Sequence, residues 1–249
     1  MRSLDQGRSD PLLAPDSTPV LFFGGLETAE VITVGINPSG QEFLSPAGAP
    51  LQPNERRFLH ASELSGDAVR DADAALAKMR SYFSPGGNPY WKWFKPIDVL
   101  VKSLGASLEA GTAAHTDVLS CFATLKGWGR LKAPKKKKVS QSGFETFRGV
   151  LAHARRLRLL IIIGATAIRE FASKAQVEFE AVPTCFDGLP KMAARLPVLS
   201  QSHWRLDGRE VAVVAARPYQ DRPLLPLKYS SQEESEVAAL GRRIREVVW

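Results

Sequence analysis

Two kinds of apolar pattern alternate along the chain. Short runs at Val20–Phe23, Val31–Gly35 and Leu157–Ile163 have the length and the branched side chains of buried strands, the last of them a central parallel one. Elsewhere the apolar positions spread to helical spacing. Asp67 offers an N-cap for a helix to about Tyr82, with Ala72, Ala75, Leu76 and Met79 along one face. An aromatic-rich helix is predicted from Tyr90 to Leu104, another from about Gly143 to Arg156, a third after Gly164 and an amphipathic one over 230–248. His115–Phe122, Pro197–Ser200 and Glu210–Ala216 read as further strands. Strands alternating with helices predict an α/β fold, a three-layer α/β/α sandwich around a mainly parallel sheet.

The polar and Pro/Gly-rich stretches divide the chain further. Residues 1–18 read as a flexible lead-in to one domain over 19–249, with a basic loop at 130–138. The long Pro- and Gly-rich stretch from Ser39 to about Gly66 is of the kind usually kept for function or left disordered.

Composition narrows the partner. The chain has 249 residues, 44% hydrophobic, enough to bury a substantial core, and carries a net charge of +7 with a pI near 9.5. That balance favours a polyanion over an acidic metabolite. Cys121 and Cys185 are too few for a structural zinc or four-thiolate cluster and read as reduced core residues. The four histidines lack metal-ligand spacing. No apolar run approaches the roughly 20 residues that span a bilayer. The expectation is a cytoplasmic monomer with no membrane contact, no cofactor and no metal.

The segment most charged with chemistry is Val31–Gly35 running into Ile36-Asn37-Pro38-Ser39. A glycine, then an amide side chain, at the end of a buried strand aims that amide at the crevice where open α/β sheets bind ligands. The plainer reading is an Asx-type turn cap.

Five blocks together resemble the uracil-DNA glycosylase superfamily: Gly35-Ile36-Asn37-Pro38, Gly48-Ala49-Pro50-Leu51, Asn88-Pro89-Tyr90-Trp91-Lys92, Leu159–Gly164 and Val213–Pro218. The nearest branches are the mismatch-specific uracil/thymine and the single-strand-selective ones. The resemblance implies a uracil-DNA glycosylase-like fold, DNA as partner, single- or double-stranded, and hydrolysis of an N-glycosidic bond. Such a bond breaks with positive charge growing on the sugar and negative charge on the base, which calls for a positioned water, a donor for the base and a dry pocket. Asn37 then orients the water, and Ile36 belongs to the base pocket. Arg217-Pro218-Tyr219 stands where the family carries His-Pro-Ser or Asn-Pro-Ser. Arg217 is either the donor that holds the departing base, a phosphate contact, or half of a surface basic pair with Arg222. Tyr219 is a candidate wedge in the base stack.

Two departures bear on the substrate. Leu51 replaces the stacking aromatic, leaving Phe43 or Tyr90 to stack. Asp117 stands where some branches read the base edge with Asn; a carboxylate only accepts, which opposes uracil O4 and suits the cytosine amine. A salt bridge to a lysine is the plain alternative. The predicted target is therefore a modified pyrimidine, leaning to a modified cytosine such as a glucosylated hydroxymethylcytosine of phage DNA. Mismatch base-excision repair of uracil or thymine, and a catalytically inactive DNA-binding module, stay open. Arg130, Lys132, Lys135, Lys136, Lys137 and Lys138 place six cations within nine residues, read as phosphate contacts with Ser39 or as a solvated loop.

Overall fold

Leu159–Ile163, five aliphatic residues all buried, forms a strand flanked on both sides by parallel neighbours, the position in a sheet that leaves no polar face to solvate. The computed structural model describes residues 10–182, 198–217 and 231–248. In chain order the strands are β1 (Phe22–Gly24), β2 (Val31–Gly35), β3 (Ala113–Asp117), β4 (Leu159–Ile163), β5 (Glu180–Ala181), β6 (Val198–Leu206) and β7 (Arg209–Arg217). Among the described residues they make one sheet in the order β1-β3-β2-β4-β7-β6-β5. The inner strands β3, β2, β4 and β7 run parallel, while β1 and β6 are antiparallel to their neighbours. The protein is thus mixed α/β with a largely parallel sheet centre. β6 and β7 form a hairpin longer than the strands read from sequence, turning at Asp207-Gly208, both with positive φ.

The helices are α1 (Ala68–Arg80), α2 (Trp91–Ser103), α3 (Ala133–Val139), α4 (Gly143–Ala152), α5 (Ala165–Ala175) and α6 (Ser231–Val248). Asp67 does cap α1, accepting from the amides of Val69 and Arg70 at 3.0 and 3.1 Å. α1 packs on β1, α5 on β4 and β7, and α2 on α6, where Gly241 sits so close to Ser103 that a larger residue would have no room.

Three expectations change. Residues 10–18 are not a flexible lead-in: Leu13 and Ala14 are buried, and the Ala14 amide donates to Ala123 O at 2.9 Å. The short apolar stretch Leu12-Leu13-Ala14 covers the chain that leaves β3, and burial outweighs the flanking prolines. The basic loop is a turn followed by α3, with Pro134 in its first turn. Lysine is a good helix former, and Lys136, Lys137 and Lys138 in the last turn complement the helix dipole, which offsets their mutual repulsion. The strand expected over 115–122 is shifted, ending at Asp117. Cys121 is half-buried, and Cys185 lies outside the described residues.

His60 ties the lead segment down and gives it an acid sensitivity. Its Nδ1 donates to Asp16 Oδ2 at 3.1 Å, whereas Nε2 is buried beside the Phe43 ring with no partner among the described residues. Burial holds the His60 pKa below its ordinary value of 6.5, against the pull of Asp16. The unfolded chain therefore takes up this proton first, so the stability is whole above pH 6.5 and declines as the pH falls below it. The Asp16 carboxyl is held below its usual 3.8 by Ser62 and His60, and that contribution survives until more acid pH. Thermal unfolding scanned from pH 7.5 to 5 should show a falling midpoint, and His60→Gln should flatten that dependence. Equal slopes in the two proteins would remove His60 from the account.

Candidate functional site

The register of three parallel strands builds a cavity of about 420 Å³ at their carboxyl ends. Gly35 ends β2 beside Asp117, which ends β3; Ile163 ends β4; all three line the cavity. The glycine is needed for space rather than for an unusual backbone angle: a Cβ at residue 35 would stand 2.5 Å from Asp117 Oδ1 and 3.1 Å from His115 Nε2. The same register sets Thr33 beside His115, and their Oγ1 and Nδ1 lie 2.8 Å apart. His115 and Asp117, two apart on one strand, share a face. Phe23 and Phe94 close edge-on around the imidazole.

Beyond the strands the two chains stay side by side. Val118 and Leu119 donate to the carbonyls of Gly35 and Ile36 at 3.1 and 3.0 Å. Asn37 then fastens one loop to the other: its amino group reaches Pro38 O at 2.8 Å, Thr124 Oγ1 at 3.1 Å and Phe122 O at 3.4 Å. Two of these are carbonyls, which fixes the amide orientation, since only the NH₂ end can meet them. Oδ1 accepts from no described residue and is the atom left for a ligand or a water.

Glu42 is the residue that sequence reasoning passed over. It lies in a short 3-10 turn, Gly40–Glu42, capped by Ser39, and is buried yet lines the cavity. The Tyr82 hydroxyl donates to Glu42 Oε2 at 2.7 Å and itself accepts from the Tyr90 amide at 2.9 Å. Behind the pair, Phe58 stacks on Tyr82 and Phe23, Phe83 and Phe94 meet its edge. Burial in this aromatic setting, with Asp117 adding to it, pushes the Glu42 carboxyl up to about 7, against the Tyr82 hydrogen bond and the Arg57 charge. Tyr82 is pushed well above its usual 10 by burial and by Glu42. Arg57 is held by the carbonyls of Gln41 and Asn88, both at 2.8 Å, and lies over the Tyr90 ring.

Of the residues read from sequence, Ile36, Asn37, Ser39, Tyr90 and Asp117 meet in this cavity. Phe43 and Leu51 do not: Phe43 is fully buried against Phe58 and His60, and Leu51 is buried in the loop packed behind it, so both are core and neither stacks on a base. The aromatic wall comes instead from Tyr90, Trp93 and Trp128, and Trp93 is exposed at the mouth. Among the described residues Asp117 has no lysine partner; its neighbour is His115, at 3.7 Å. Arg217 is the last residue of β7, next to the carboxyl end of β4, where the Gly164 amide donates to Ala216 O at 3.2 Å. Tyr219 and Arg222 lie outside the described residues. Arg130, Lys132, Lys135 and Lys137 are exposed, Lys136 is half-buried, and Lys138 pairs with Asp10 at 2.9 Å. His203 is exposed on β6 and does not line the cavity.

Among the described residues there is no helix long and apolar enough to cross a membrane, and no cluster of three potential metal ligands. Neither a family model nor a curated protein matches the sequence.

Proposed function

We propose that the chain is a monofunctional DNA glycosylase, a three-layer α/β/α domain of the uracil-DNA glycosylase type. It takes a modified pyrimidine out of the stack and hydrolyses its N-glycosidic bond, leaving an abasic site. The observation that carries this reading is the Asn37 amide at the head of the cavity, its amino group consumed by the neighbouring loop and its oxygen left over. In that role Oδ1 accepts from a water and aims it at the sugar carbon, while the cation forming there supplies the electrophile. A neutral amide orients the water without taking its proton, which passes to solvent or to the departed base anion once the bond to the sugar has formed; orientation suffices when the leaving base departs early.

The rest of the site fits the role. Tyr90, Trp93 and Trp128 offer flat apolar surface to a flipped base. Lys92, Lys95 and Lys126 are exposed on the segments that form the mouth, and the α3 cations add to them. Asp117 and Glu42 give the pocket two carboxyl groups, which favours a base with an amine over uracil. Arg217, on the strand beside β4, is the candidate donor for the departing base. No lysine is assigned to the water-orienting position, so no imine with the sugar is formed. Action on modified cytosine would serve defence against phage DNA in the cytoplasm, by a monomer.

Alkaline strand scission on oligonucleotides tests this, with uracil, thymine opposite guanine, hydroxymethylcytosine and glucosylated hydroxymethylcytosine as targets. Scission confined to the modified cytosines is expected. Scission at uracil or mispaired thymine would move the protein to base-excision repair. Inactivity on every substrate with DNA binding intact would leave a binding module on a glycosylase-like fold.

A further inference from the structure

We propose that the cavity reads the Watson–Crick edge of an amine-bearing base, with Glu42 as hydrogen-bond donor to the ring nitrogen and Asp117 as acceptor from the exocyclic amine. The assignment rests on the excision reading above and names what that site would accept. Cytosine and adenine both present a ring nitrogen lone pair next to an amine; uracil and thymine present a ring N–H next to a carbonyl.

The two carboxyl groups differ in what holds them. Tyr82 occupies Glu42 Oε2 with its own proton, and the Tyr90 amide, donating into the same phenol oxygen, orients it. A proton on Glu42 therefore resides on the other oxygen, Oε1. The groups facing Glu42 are Tyr82 after α1, Arg57 from the loop before α1, and Asp117 from β3. Their sum with burial leaves it about half protonated near neutral pH, at a value of about 7. Asp117 has a side chain only 4% exposed, and no described residue donates to it; His115 at 3.7 Å is beyond hydrogen-bond range. A buried carboxyl group with no donor from the protein is built to receive one from a ligand. Uracil would set its N–H against the Glu42 proton and its carbonyl against Asp117, two repulsions that a base with an amine avoids.

The test needs neither DNA nor turnover. Free cytosine, 5-hydroxymethylcytosine, adenine, uracil and thymine are titrated against the protein at pH 6 and pH 8.5 by NMR. At pH 6 cytosine should bind about tenfold or more tighter than uracil, and its affinity should fall about tenfold or more by pH 8.5 as the competent, protonated fraction shrinks. Glu42→Gln should keep cytosine binding and lose the pH dependence, because its carbonyl accepts from Tyr82 and its amino group replaces the acid proton permanently. Adenine binding alongside cytosine shows that the edge alone is read; cytosine without adenine shows that ring size is read as well. Equal affinity for uracil and cytosine at pH 6, the same pH dependence in Glu42→Gln, or no binding of any base would each overturn the assignment. Should the DNA assay find no excision while this binding pattern holds, the glycosylase reading falls and the edge reading stands.

Discussion

Asn37→Ala should lower single-turnover excision by about 10²–10³-fold, the loss seen when one pre-oriented polar group is taken from a hydrolytic site. DNA affinity should stay within about threefold, since the removed group acts on the water and not on the duplex. The amide also fastens the Pro38 turn to Phe122 and Thr124, so a stability cost of about 1–3 kcal/mol accompanies the change. For a protein of this size that is a shift of about 2–4 °C per kcal/mol, read beside the excision rate in the same variant. The two roles separate in Thr124→Val, which breaks one of the fastening bonds at 3.1 Å and leaves the Asn37 oxygen in place. A comparable melting shift with most of the excision rate kept is expected there. If Asn37→Ala cleaves as well as the parent, or loses DNA affinity in step with its rate, the residue is a turn staple and nothing more.

The parts of the fold legible in the sequence are those where one local signal settles the structure. β4 is apolar throughout, and β2 apolar but for Thr33, because both faces are covered, and Asp67 caps α1 with its own carboxylate. Asn37 stood out because it follows a strand, and strand ends at the carboxyl side of a parallel sheet converge. Asp117 stood out through the resemblance alone, inside a strand expected to run on to Phe122, and only the structure ends that strand at it. Glu42 carried no such mark. Its character comes from Tyr82, 40 residues away, and from phenylalanines of β1, α2 and the loop before α1, so no window of sequence contains it. Phe43, its neighbour, was the more conspicuous residue and is core: successive residues in the same turn face opposite ways, one into the cavity and one into the aromatic cluster behind. His115 was passed over for a similar reason. A histidine inside a strand looks like any polar residue until the register sets it between Thr33 and Asp117.

Replacing Arg130, Lys132, Lys135 and Lys137 together by Gln should make the dependence of log affinity on log salt shallower by about 3.6, at about 0.9 per phosphate contact for duplex DNA. Since that contribution vanishes near molar salt, the same slope implies a loss of about three decades or more at 0.1 M. Exposure and pairing decide which cations belong in this set. Val139 is buried, and Lys136, three residues before it, is drawn half under with it. Lys138 is committed to Asp10, whose side chain is 8% exposed, at 2.9 Å. Lys136→Gln with Lys138→Gln should therefore leave the salt slope unchanged and act on the packing of the lead segment instead, read as a lower melting temperature. An unchanged slope in the fourfold variant would mean that α3 is a solvated surface and that the phosphates lie along Lys92, Lys95 and Lys126. A slope change shared equally between the two variants would mean that Asp10 releases Lys138 when DNA binds.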